Sequence, residues 1–192
     1  FKDGTTYTDA VNDQLVIQYK PAEAGGYDCE GKEITSTNYY ILERYFVRTD
    51  VNGKGTDAER SALACASSRY KSDLTTATAL DVADKGLYSN GQIIMKRVDL
   101  FKVRFLVQIG DNKRYVTIAE YNAITSAPRI LAVQLGVIAR SPSSTTERSV
   151  STSQEFSIFS QTVTQKTAFP NRYVRTPIMQ TVALRNALGD RS

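Results

Sequence analysis

The sequence predicts a mainly β fold of antiparallel sheets, and three observations predict it. From Val98 to Ile109 the odd positions Phe101, Val103, Phe105, Val107 and Ile109 are apolar, while Lys102, Arg104 and Gln108 fall on even ones. Such period-two alternation marks a strand with one face on a core and the other toward water. From Ile130 to Ala139 only Gln134 is polar, the pattern of a central strand covered on both faces. Gly136 and the valines there disfavour the competing buried helix. The aromatic mass is 11 Tyr and 7 Phe with no Trp, and abundant Tyr, Thr and Val suit a pleated surface.

The remaining elements follow in order. Gln14 to Tyr19 places Leu15, Ile17 and Tyr19 on one face and is stopped by Pro21, as a short strand would be. Ala24-Gly-Gly-Tyr-Asp28 reads as a turn, and Tyr39 to Val47 as a second, aromatic-rich strand. Asp50 to Glu59 has oxygen ligands at the first and third positions of a calcium loop. Lys54 at the fifth and Ser61 at the twelfth break that pattern, so a glycine-rich hairpin loop is expected instead. Thr56-Asp-Ala-Glu59 has capping-box spacing, leaving 57–70 open between a short helix and a strand that carries Cys65. Residues 71–90 show no period and read as loop. Gly110 to Lys113 makes a turn from which Arg114 to Ala119 returns as the second arm of a hairpin. Residues 141–155 form a Ser/Thr-rich stretch expected to be exposed and mobile. Phe156 to Phe159 and Gln161 to Thr164 are short strand candidates. Ile178 to Leu184, with Ile178, Val182 and Leu184 on one face, closes the fold. No repeat or long linker divides the chain, so 1–192 is expected to be a single domain.

Cys29 and Cys65 are the only cysteines. Two reduced thiols are one reading. The even count and the turn-like Gly-Gly-Tyr-Asp-Cys-Glu-Gly setting of Cys29 favour a structural disulfide and an oxidising compartment.

Chemistry is excluded more readily than assigned. Histidine is absent, which removes Ser-His-Asp and Cys-His catalysis, His-ligated metals and a histidine pH switch. Phosphate loops, nucleophile elbows, nucleotide fingerprints and metal-ligand clusters are missing too. Asp57/Glu59 and Asp81/Asp84 are carboxylate pairs in polar loops, where solvation explains them. No catalytic, cofactor-binding or metal-binding residue is therefore nominated. Through Met95 there are 10 Lys/Arg against 14 Asp/Glu, and from Lys96 onward 14 against 6. A basic half of this kind suits either an ordinary solvated surface or an anionic partner such as nucleic acid. No run approaches the roughly 18 apolar residues of a membrane helix. A chain opening on Phe1 without Met reads as a segment from which a leader or anchor has been removed.

Several stretches, in order, resemble the PilW family of type IV pilus minor pilins: Asp13 to Tyr19, Asp28-Cys29-x-Gly31, Tyr39-Tyr-Ile41, Ala62-Leu-Ala-Cys65, Val98 to Phe105, Ile130 to Arg140, and Arg175 through Thr181-Val-Ala-Leu-Arg-Asn186. The resemblance implies an antiparallel β head, similar to the minor pseudopilins of type II secretion, without the family's apolar N-terminal helix. It also implies a non-enzymatic structural protein that joins other minor pilins and a tip adhesin, primes pilus assembly and sits at the tip. The missing helix would anchor it in the inner membrane facing the periplasm before assembly into the extracellular pilus. The alternative is a tip module that binds a ligand, such as DNA during natural transformation. Periplasmic disulfide formation agrees with the cysteine reading.

Overall fold

The fold is described from a computed structural model covering residues 7–8, 10–71, 86–146, 153–166 and 172–184. Eleven strands and one short helix are present among them: β1 Tyr7–Thr8, β2 Leu15–Tyr19, β3 Tyr39–Thr49, β4 Ser61–Lys71, β5 Gln92–Lys96, β6 Val98–Ile109, β7 Asn112–Thr117, α1 Ile118–Asn122, β8 Arg129–Arg140, β9 Glu155–Ile158, β10 Gln161–Gln165 and β11 Arg175–Ala183. They form three sheets, ordered β2-β3-β4-β5, β11-β8-β6-β7 and β1-β10-β9. The pairings β2/β3, β3/β4, β4/β5, β6/β7, β8/β11, β9/β10 and β1/β10 are all antiparallel. The expected fold class is the observed one.

Two compact units emerge, one from 14–98 and the other from 1–13 with 99–192. The first holds the β2-β3-β4-β5 sheet. Eleven consecutive pairs, from Tyr39↔Lys71 to Thr49↔Ser61, lock β3 to β4. Here the open choice at 57–70 resolves as strand. Thr56 and Glu59 do exchange the reciprocal bonds of a capping box, Thr56 N–H to Glu59 Oε2 at 2.8 Å and Glu59 N–H to Thr56 Oγ1 at 3.4 Å. The turn they make runs straight into β4, because Ser61 to Ser68 are buried between two neighbouring strands. The 50–60 connection is the expected hairpin loop. Asp50 is committed to it, accepting from the Asn52 amide at 3.0 Å and pairing with Lys96 at 3.5 Å. Most of the 71–90 loop lies outside the described residues; at its end Ser89 N–H bonds Gly86 O at 3.0 Å.

The second unit holds the other two sheets. Strand β6 shows the alternation read from the sequence only in part: Phe101, Val103 and Val107 are buried, but Phe105 is half-buried, Ile109 is exposed, and Leu100 on the opposite face is buried too. Strand β7 ends at Thr117, two residues before the expected Ala119. Thr117 caps α1: its amide donates to Glu120 Oε2 at 2.7 Å and its hydroxyl accepts from Glu120 N–H at 3.2 Å. Thr-Ile-Ala-Glu is itself a capping box, so the signal was present and was overridden by the apolar run. In the Ser/Thr-rich stretch, the Ser141 amide bonds Val174 O and the Thr145 amide bonds Arg172 O, both at 2.8 Å. Residues 147–152 of that expected loop lie outside the described residues.

The β9–β10 hairpin shapes the core of this unit. Its two loop residues, Phe159 and Ser160, have φ of 52° and 70°, the left-handed pair a two-residue hairpin demands. Glycine is absent there because Phe159 is used for packing: with Ile158 and Val163 it joins Tyr7, Leu100 and Ile138 in one buried cluster. Gly136 of β8 faces the same side chains. A Cβ at 136 would lie 2.8 Å from both Ile158 Cδ1 and Phe159 Cζ. Gly136→Ala is therefore expected to destabilise by about 1–3 kcal/mol through overpacking, read as a lower urea midpoint with unchanged slope.

Candidate functional site

Cys29 and Cys65 are joined, with Cα atoms 6.0 Å apart. Cys65 is fully buried in the middle of β4, opposite Tyr45 of β3. Cys29 comes from the turn-rich segment between β2 and β3, where the expected Gly-rich turn is pinned by Gly25 N–H to Ile34 O at 2.8 Å. Acidic side chains surround the bridge. Glu43 is 6% exposed; its carboxylate accepts from Tyr19 Oη at 3.1 Å, the Cys29 amide at 2.9 Å and Tyr45 Oη at 2.7 Å. Asp28 accepts from the amides of Glu30 and Lys32, from Ser67 Oγ at 2.7 Å and from Arg69 at 3.2 Å. Glu30 accepts from the Ser67 amide at 3.0 Å. These bonds stitch the irregular segment onto the face of β4. Ligand atoms of Cys29, Glu43 and Cys65 lie within 4.8 Å of one another, but sulfurs bonded to each other offer no thiolate to a metal.

The phenols beside Glu43 respond to it. Burial, reinforced by the Glu43 charge, pushes Tyr19 up to about 12, and burial with the Glu43 hydrogen bond pushes Tyr45 up as well. A pKa raised on folding favours the protonated form. That stability is complete below the unfolded value of about 10 and is lost as pH rises toward the folded one. Urea midpoints should therefore hold to pH 9 and fall from pH 10 to 11, with a shallower fall in Tyr19→Phe.

The second unit contains a charge cluster that the sequence did not disclose. Asp99 at the start of β6 accepts from Arg140 Nε at 3.0 Å and Arg175 Nε at 2.8 Å, and all three side chains are buried. Arg175 also donates to Gln165 Oε1 at 3.2 Å, and the Arg140 guanidinium lies 4.7 Å from the centre of the Tyr173 ring. One carboxylate thus ties together the ends of β6, β8, β10 and β11. It also withdraws two cations from the surface of the basic half, so the charge count there overstates what an anionic partner would meet.

Strand β11 is the candidate contact surface. Among the described residues it lies at the edge of its sheet, beside β8 alone. Ile178 pairs with Val137 and Val182 with Val133, which puts Ile178, Val182 and Leu184 on one face as expected. That face is not core: Ile178, Val182 and Leu184 are 40–49% exposed, and Met179 on the opposite face is 49% exposed. From Ile178 to Leu184 there is no charged residue. Natural sheet edges are ordinarily guarded by charges or proline against unwanted pairing; here only Pro177 guards the start.

The model of the family described as Type IV Pilus-assembly protein W matches residues 44–186, from within β3 to just beyond β11. The chain belongs to the PilW family. The match takes in Cys65, the Asp99 cluster and the open edge, and begins after Cys29 and Glu43. No curated protein matches the chain. Among solved structures it is similar to a type IV-like pilin from Thermus thermophilus, with 14% identity and a TM-score of 0.43 over 92% of this chain and 80% of that one. As a PilW-family protein it is a component of the type IV pilus system. Among the described residues no helix is long and apolar enough to cross a membrane.

Proposed function

We propose that this PilW-family chain is a non-enzymatic minor pilin whose head, residues 1–192, joins other minor pilins in the complex that primes assembly and stays at the pilus tip. The observation that carries the proposal is the uncharged, half-exposed edge of β11 in a chain of this family. Its action is surface complementarity. A partner's extended backbone satisfies the open N–H and C=O groups of the edge, and its side chains cover Ile178, Val182 and Leu184. The Cys29–Cys65 bridge, formed in the periplasm, is a brace. Inner-membrane attachment through a preceding helix and contact with a tip adhesin complete the reading.

Co-purification with the other minor-pilin heads tests it. Ile178→Lys with Val182→Lys, on an exposed face, should leave the melting temperature unchanged and weaken capture by about tenfold or more. Full binding by the folded double variant would remove β11 from the interface. A wild-type head that captures no minor pilin would overturn the function itself.

A further inference from the structure

The carboxylate of Glu43 is nearly buried and within 4.8 Å of the sulfurs of the bridge. We propose that Glu43 is an electrostatic guard that makes the Cys29–Cys65 bond a poor target for thiol exchange, keeping the brace closed in a compartment where thiols and disulfides interchange.

The exchange chemistry shows where the guard acts. A monothiol, as its thiolate RS⁻, attacks Sγ of Cys29, the less buried residue of the pair, since Cys65 is fully buried. The RS–Sγ bond forms, the bond between Cys29 and Cys65 breaks, and the electron pair departs on Cys65 Sγ, which takes a proton from water. A second RS⁻ then attacks the sulfur of the attached R group, releasing RSSR and the Cys29 thiolate. Two thiols are oxidised and the cystine takes up two electrons. The attacking anion approaches the Glu43 carboxylate, and the departing Cys65 thiolate is created next to it in a nearly buried site. Repulsion slows the first event. Desolvation and the same charge make Cys65 a poorer leaving group in the second.

The other charged and titratable groups around the bridge do not cancel this field. Tyr19 and Tyr45 donate to Glu43 as neutral phenols. Arg69 is paired with Asp28, and Glu30 adds a further negative charge on the Cys29 side. Hydrogen bonds from Tyr19, Tyr45 and the Cys29 amide hold the Glu43 carboxylate in place.

The test is the rate of bridge opening in the folded protein at one pH with 2-aminoethanethiol, 2-mercaptoethanol and thioglycolate. These thiols are cationic, neutral and anionic, and released protein thiol is counted by mass spectrometry. Glu43→Gln should open about tenfold faster with the neutral thiol, and the cationic-to-anionic rate ratio should fall by about tenfold from wild type. Glu30→Gln should lower the ratio less. Faster opening by all three thiols with an unchanged ratio would show that Glu43 merely packs the segment, and would overturn the guard. Should Glu43→Gln fail to fold, wild type alone decides: its ratio must drop when the chain is unfolded in urea, and a constant ratio refutes the proposal.

Discussion

Replacing Asp99 with alanine is expected to destabilise the protein by about 3–5 kcal/mol, the range for removing one partner of a buried ion pair. The reason is the sharing. A single carboxylate accepts from two guanidiniums, at 3.0 Å from Arg140 and 2.8 Å from Arg175, and all three side chains are buried. Without it, two like charges face each other in an interior that screens them poorly. Asp99→Asn keeps the shape and one acceptor and should cost less than alanine. Replacing Asp99, Arg140 and Arg175 together with Leu, Met and Met should cost far less than Asp99→Ala alone, because the desolvation of three charges disappears with their attraction. Urea denaturation of the four proteins at one pH decides the matter. A loss under about 1 kcal/mol for Asp99→Ala would mean that the cluster is wet or readily rearranged.

This cluster marks where sequence reading stops. Within Val98 to Ile109, Asp99 falls on the odd, otherwise apolar face, a sign of a buried charge; but its partners stand 41 and 76 residues away, and no local pattern names them. Local patterns did report most of the strands, though not β1 or β5. Alternation located β6, and apolar residues on both faces located β8. They could not decide β4, because Ala-Leu-Ala-Cys-Ala-Ser-Ser is small and without period; its pairing with both β3 and β5 settles it. Nor could they say which way the face of Ile178, Val182 and Leu184 looks. Alternation gives a face, and only the neighbouring layers tell whether it is covered. The disulfide was legible from the even cysteine count and the turn-like setting of Cys29, whereas Glu43 was hidden inside an aromatic-rich strand.

Breaking that bridge should have the other large effect. The cysteines are 36 positions apart, and the chain-entropy model assigns a loop of that size about 4 kcal/mol. Cys29→Ser with Cys65→Ala is therefore expected to lower stability by up to about 4 kcal/mol and to raise the denaturant slope, because the unfolded chain expands. The loss should also have a location. Between β2 and β3 the only regular pairing among the described residues is the bridge Tyr27↔Glu33. The rest of the attachment includes the bonds from β4 to Asp28, Glu30 and the Glu33 carbonyl and the Cys29 amide bond to Glu43 of β3. Without the cystine that segment can lift away while the eleven pairs of β3 and β4 stay closed. Amide exchange should then show protection lost first at Gly25, Asp28 and Ile34, whose N–H groups hold the segment together, and retained along Ile41 to Val47. Uniform loss across β3 and β4 would instead make the cystine a clasp on the whole sheet, and equal protection with and without it would leave the acidic bonds alone holding the segment.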